Sequence, residues 1–198
     1  MIQALYDTVA AWVPPGSHVL DLGTGDGAFL QRLVEHRKVA AEGVEIDGTL
    51  AARCIERGLV VHQGDILDGL DQYGRNSFDY VLLLGTFQEL IEPWRVLEEA
   101  FRVGNRVIVG FNNFAYWRAR IQMLFRGRSP VTPRMPYPWY LSPNLQYFSI
   151  LDFKDFCRTK ELDLEDIAYF SGRRKIRWFS NLMAEQSVAL LSSGKSNL

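Results

Sequence analysis

Val19-Leu20-Asp21-Leu22-Gly23-Thr24-Gly25-Asp26-Gly27 (residues 19–27) decides the fold. A short apolar run from His18 to Leu22 reads as a strand, and a helical pattern follows to about His36. Between them, Gly-x-Gly-x-Gly lets the backbone turn tightly and approach a ligand without a Cβ in the way. The next helix offers unpaired N–H groups to a carboxylate or phosphate. A glycine triplet alone is weak, because turns explain many of them. The next strand, Val39 to Ile46, strengthens it by ending in Glu45, 20 residues after Gly25. A carboxylate at that distance can accept hydrogen bonds from both hydroxyls of a ribose. Asp47, on the same side of the chain, is the rival. After a third strand, Leu59 to Gln63, comes Asp65, suited to an adenine amino group, with the Ile66 backbone alongside.

Spacing separates the candidate cofactors. A dinucleotide fingerprint is Gly-x-Gly-x-x-Gly facing a pyrophosphate. Here an acid stands ahead of the first glycine, in Asp-x-Gly-x-Gly-x-Gly. It would repel a pyrophosphate and suit a ligand carrying an ammonium and a sulfonium. Asp21 or Asp26 therefore favours S-adenosyl-L-methionine over a nicotinamide cofactor.

Working outward, Ile2, Leu5, Val9 and Trp12 recur at helical spacing until Pro14-Pro15-Gly16. Thr49 to Arg57 reads as a helix, and Phe78 to Leu84 as a central strand, apolar on both faces. Pro93 opens another helix, and Arg106 to Phe111 forms a fifth strand. This alternation predicts an α/β, Rossmann-like, doubly wound and mostly parallel sheet. Leu162–Tyr169 and Val188–Leu191 are expected to add an antiparallel C-terminal edge, with residues 171–186 as their connection. The whole chain, 1–198, reads as one domain with an irregular insertion at about 112–150. In it Phe114 to Phe125 is helical, and 127–149 holds five of the eight prolines. A helix over Asp152–Lys160 follows.

The 198 residues suit a single domain, and 47% hydrophobic with 23% charged residues is ordinary for a soluble protein. No basic start with an apolar run marks a signal peptide, and no stretch is long enough for a membrane-spanning helix. Cys54 and Cys157 lack metal-ligand spacing, so no metal is expected, and a reduced, cytoplasmic protein is the simpler reading. The net charge of −1 hides an asymmetry: residues 1–100 carry −9 and residues 101–198 carry +8. That pattern fits an anionic substrate, an acidic partner, or two halves that attract one another.

Residues 17–111, through VLDLGTGDG, GVEID, QGDI and FDYVLLLGTFQEL, resemble class I S-adenosylmethionine-dependent methyltransferases. The stretch from about 17 to 170 is similar, more narrowly, to the methionine-biosynthesis MetW family. NFAYWRARIQMLFRGRSPVT, PYPWY and ILDFKDFC carry that closer match. The resemblance implies the class I methyltransferase fold and cofactor contacts at Asp21, Gly23, Gly25, Glu45 and Asp65. With their neighbours Thr24, Ile46 and Ile66, these make up the expected cofactor-binding set. Thr24 stands where cysteine is common in such loops. The resemblance also implies a role beside homoserine O-acyltransferase in methionine synthesis.

The catalytic side is poorer. His18, His36 and His62 all precede the acceptor-facing half, where a base would be expected. Gln88 stands where related enzymes often carry histidine; it can orient a substrate but not take its proton. Glu89 and Tyr116 are weak candidates, so no catalytic residue is assigned. The helix 114–125 lines up Trp117, Ile121, Leu124 and Phe125, a stripe that more often packs into a core. Arg118, Arg120, Arg126 and Arg128 lie outside it and suit a partner surface, a lid over an acceptor, or an anionic ligand including RNA. A pI near 6.3 argues against nucleic acid. Three functions stay open: a methyltransferase on a small or anionic acceptor, a non-catalytic acyltransferase subunit that binds S-adenosylmethionine, and an RNA methyltransferase.

Overall fold

The computed structural model describes residues 3–194; Ile2 of the first helical pattern lies outside them. The strands β1 (His18–Leu22), β2 (Ala40–Glu45), β3 (Val60–Gln63), β4 (Phe78–Leu84) and β5 (Gly104–Asn112) are all parallel. Three more strands, β6 (Asp163–Ser171), β7 (Arg174–Ile176) and β8 (Gln186–Ser192), complete a sheet of order β3-β2-β1-β4-β5-β8-β6-β7. β8 runs antiparallel to both β5 and β6 and lies between them. The expected α/β doubly wound sheet with antiparallel C-terminal strands is thus present.

Alternation along each strand sends successive side chains to opposite faces. Val81, Leu83, Val107 and Val109 enter the core beneath α5 (Pro93–Val103) and α7 (Ile150–Thr159). Tyr80, Leu82 and Ile108 enter the other, beneath α1 (Gln3–Trp12), α2 (Ala28–Arg37) and α3 (Gly48–Glu56). Ser149 and Asp152 form a reciprocal capping box that starts α7 two residues before the expected position. Phe111, Phe148 and Phe153 interlock, with Phe111 and Phe153 centroids 4.5 Å apart, and this cluster pins the end of the insertion to the sheet. Cys54 and Cys157 are free and buried. No helix among the described residues is long and apolar enough to cross a membrane.

Four elements went unread in the sequence. α4 (Ile66–Leu70) follows β3, and Thr86–Glu89 forms a 3-10 turn after β4. The expected plain connection 171–186 contains β7, hairpinned to β6, and the single turn α8 (Ser180–Met183). The helix expected over 114–125 is α6 (Trp117–Arg126) and buries only Ala119. Its apolar stripe does not pack into a core: Leu124 and Phe125 are each 77% exposed.

Asn113 explains the late start of α6. It is fully buried at the end of β5, and its Nδ2 donates to the carbonyls of Asn181 (3.0 Å) and Ala184 (2.8 Å). Its Oδ1 accepts from the amides of Ala115 (3.1 Å) and Ile150 (3.3 Å). One amide side chain therefore ties together three segments remote in sequence.

Candidate functional site

In an open parallel sheet, ligands bind beyond the carboxyl ends of the strands, where the strand order reverses. That point lies between β1 and β4, and a cleft of about 550 Å³ opens there. Gly23, Gly25, Glu45, Ile46, Asp65 and Ile66 of the expected set line it together. Thr86, Glu89, Asn112 and Asn144 close the other side.

Gly23 adopts φ 83°, and a Cβ there would strike the side chain of Thr86, so the turn needs glycine twice over. Gly25 (φ 62°) directs its N–H at Glu45 Oε2, 2.7 Å away. The Asp47 amide donates to Glu45 Oε1 at 3.0 Å. Both oxygens of this buried carboxylate are thereby aimed, each with a lone pair left for a ligand hydroxyl. Asp47, the rival, is used otherwise: its carboxylate caps α3, accepting from Thr49 (2.8 Å) and Leu50 (3.1 Å). Asp65 caps α4 through one oxygen, accepting from Leu67 at 2.8 Å, and still borders the cleft.

Asp21 and Thr24 do not line the cleft. Thr24 is buried, and its hydroxyl donates to the Asp21 carbonyl at 2.9 Å, bracing the loop from behind. Asp21 is buried on β1, where desolvation and, secondarily, the Glu45 carboxylate push its pKa up to about 7. Asp26 is neutralised at the surface by Arg57, 3.1 Å away. Of the two acids read ahead of or within the glycine loop, only Asp21 has no ion-pair partner among the described residues.

Gln88 is buried, its side chain is bonded to backbone, and it does not line the cleft. Its Oε1 accepts from the Asn112 amide (2.7 Å), and its Nε2 donates to the Asn112 carbonyl (3.1 Å). Its own carbonyl accepts from the amides of Leu145 (2.8 Å) and Gln146 (2.9 Å). The proline-rich segment is hung from the 3-10 turn in this way, and Asn144 thereby reaches the cleft. Tyr116 is buried and does not line the cleft. Glu89 does line it, and burial with the Glu45 charge raises its pKa. Asn112, Asn144 and Thr86 were not anticipated; the proximity of Asn144 depends on the Gln88 bonds, which leave no periodic trace in sequence.

The cleft fits an adenosyl ligand on three counts. Its volume lies within the range of small-molecule sites. Glu45 offers an oriented acceptor pair for a ribose, and Ile46, Leu50 and Ile66 supply apolar surface for a base. Its charged lining residues, Glu45, Asp65 and Glu89, are all acidic, with no Lys or Arg among the lining side chains described. Such a surface attracts a cationic ligand and repels a pyrophosphate.

This sheet order, with its acid-tipped second strand and glycine loop, defines a class I methyltransferase fold. Solved structures agree at the level of fold. An S-adenosylmethionine-dependent methyltransferase from Thermotoga maritima superposes with a TM-score of 0.67 at 18% identity, covering 96% of this chain and 89% of that one. A chain of the Haloferax volcanii complex between the Trm112 methyltransferase activator and a methyltransferase gives 0.70 at 15% identity, covering 96% and 89%. The [4+2]-cyclase SpnF gives 0.67 at 17%, covering 96% and 80%, so the fold by itself does not fix the reaction. The family model for methionine biosynthesis protein MetW matches residues 3–191, and the chain belongs to that family. A curated relative, the bifunctional methionine biosynthesis protein MetXA/MetW of Rhodopirellula baltica, is 33% identical over 161 residues. The match covers 75% of this chain and 25% of that protein, so the chain spans about a quarter of the relative's length.

Proposed function

We propose that the chain binds S-adenosylmethionine in this cleft and serves methionine biosynthesis in the cytoplasm as an accessory subunit of homoserine O-acyltransferase. The observation that carries the ligand is the pairing of an oriented Glu45 with a cleft whose charges are all negative. Glu45 would hold the ribose, Asp65 and Ile66 the adenine end, and the glycine loop the cationic end, with the buried Asp21 acting on it only through its charge. Bound there, the ligand supplies an activated methyl group; the residues described here bind and orient. The fused relative supports the accessory reading, since it carries both names in one chain. So does the site's shortage of bases.

A second reading, methyl transfer, rests on Glu89. It is a carboxylate with a raised pKa on the acceptor side of the cleft, suited to taking a proton from an acceptor. The acidic lining then favours a neutral or cationic acceptor over an anionic one. Calorimetric titration with S-adenosylmethionine tests the binding, and single-turnover release of the demethylated product separates the two readings. Absence of binding by the free chain and by its mixture with the acyltransferase would defeat both.

Asp21 gives a pH signature. An unfolded aspartate ionises near 3.9, whereas the folded one does so at about 7. The folded state thus keeps the proton between roughly pH 4 and 7, and stability contributed by this group falls as pH rises through that window. Above pH 7 the buried charge persists, and a cationic ligand in the neighbouring cleft would stabilise it through space. Affinity for S-adenosylmethionine is therefore expected to rise from pH 6 to 8, with proton release below pH 7. Asp21→Asn is expected to melt higher than wild type at pH 8 without ligand, yet bind more weakly. A variant that melts no higher at pH 8 would remove the buried charge from the account.

A further inference from the structure

We infer that α6, the segment 127–149 and α8 form one docking face for the acyltransferase, an apolar and aromatic centre ringed by arginines that meets an acid-rimmed surface on that protein. The inference rests on the accessory-subunit reading and assigns it a surface.

The three segments are joined physically. Gln122 exchanges two hydrogen bonds with Val131, at 2.9 and 3.0 Å, folding the start of the segment onto α6. Arg120 reaches the Asn181 carbonyl of α8 at 3.4 Å, and Arg134 approaches Glu185 at 4.0 Å. Across this face Leu124, Phe125, Trp178 and Phe179 are at least 77% exposed. Monomeric proteins seldom leave large apolar patches wet. Phe179 also holds φ 51°, a left-handed conformation that bulky residues rarely adopt. Strain that turns two adjacent aromatics outward is unfavourable twice for the chain alone, and a partner covering them offsets both.

Charge selects the occupant. Residues 113–149 contain five arginines and no Asp or Glu, and residues 171–184 contain three arginines, one lysine and no acid. A two-fold dimer through this face would set the same cationic rim against itself, which is repulsive. RNA could use the arginines and stack on the aromatics, but it offers nothing to Ile121, Met123 and Leu124, which are exposed beside them. Aromatic, methionine and arginine side chains around an apolar centre are instead the composition of protein interface cores. The relative named MetXA/MetW joins a second protein unit to a MetW-named one in a single chain, which favours a protein occupant.

The test is light scattering and calorimetry of the full chain with the homoserine O-acyltransferase of the same organism, in low and 0.5 M salt. The double variant Leu124→Ser/Phe125→Ser and the pair Arg126→Glu/Arg128→Glu are each expected to weaken the complex at least tenfold. S-adenosylmethionine affinity and melting temperature should stay at wild-type values, since none of the four lines the cleft. Ile55→Ser, exposed on α3 away from this face, should leave the complex intact. A wild-type complex indifferent to the α6 variants would overturn the surface and leave the accessory reading standing. No complex with wild type would overturn both. A homodimer, or binding to single-stranded RNA or anionic vesicles, that the same variants abolish would assign the face to that occupant and overturn the proposal.

Discussion

Glu45→Ala is expected to lower S-adenosylmethionine affinity ten- to a hundredfold in a calorimetric titration. The carboxylate is held from both sides by backbone amides, Gly25 at 2.7 Å and Asp47 at 3.0 Å. It would therefore meet a ribose without reorganising. Hydrogen bonds to a charged group contribute about 1.5–3 kcal/mol, and about 1.4 kcal/mol is a tenfold change in affinity. Removing the side chain also leaves the Gly25 amide without its acceptor, so the glycine loop loses its tether. Glu45→Gln is a sharper probe. It keeps the shape but must turn its NH2 toward either an amide donor or the ligand, so it should fall between alanine and wild type. Wild-type affinity in Glu45→Ala would move the ribose away from the second strand altogether.

The largest effect on stability is expected at Asn113. Its side chain makes four hydrogen bonds with no access to solvent, and Asn113→Ala would orphan the Ala184 carbonyl and two amides and leave the Asn181 carbonyl only its 3.4 Å bond from Arg120. Each unsatisfied buried group costs about 1–3 kcal/mol, but relaxation recovers part of it. A net loss of about 3–5 kcal/mol is expected from urea unfolding, with a melting temperature lower by roughly 6–20 °C for a chain of this size. Asn113→Asp should fare no better, because its second oxygen would face the carbonyls of Asn181 and Ala184. A loss below 1 kcal/mol would mean that water enters and takes over the lost bonds.

The strands and glycine loop were legible because their signals are local. Short apolar runs mark β1 and β4, and the loop's glycines sit next to the strand they terminate. Glu45 was legible for the same reason, being the last residue of a recognisable strand. Asp47 and Asp65 look alike in sequence, as acids after strands; both cap short helices, but only Asp65 also borders the cleft. The Ser149–Asp152 spacing could have moved the start of α7 to its observed place. Gln88 could not be read correctly from any spacing, since its partners lie 24 and 57–58 residues away. The stripe on α6 has the period of a packed helix. Periodicity reports that one face is apolar and is silent on what covers it.

Gln88 has one more consequence, because the strand end, the cleft and the proline-rich segment all meet at it. Asn144 touches the cleft one residue before Leu145 hangs from the Gln88 carbonyl, and Trp139 and Tyr140 lie exposed a few residues upstream. Occupancy of the cleft and burial of that segment thus bear on a single short piece of backbone. Thermodynamic reciprocity then applies: whatever factor a bound nucleoside adds to the grip on a partner, the partner returns to the nucleoside. A cell rich in the ligand and a cell rich in the partner would populate the same ternary state from opposite directions.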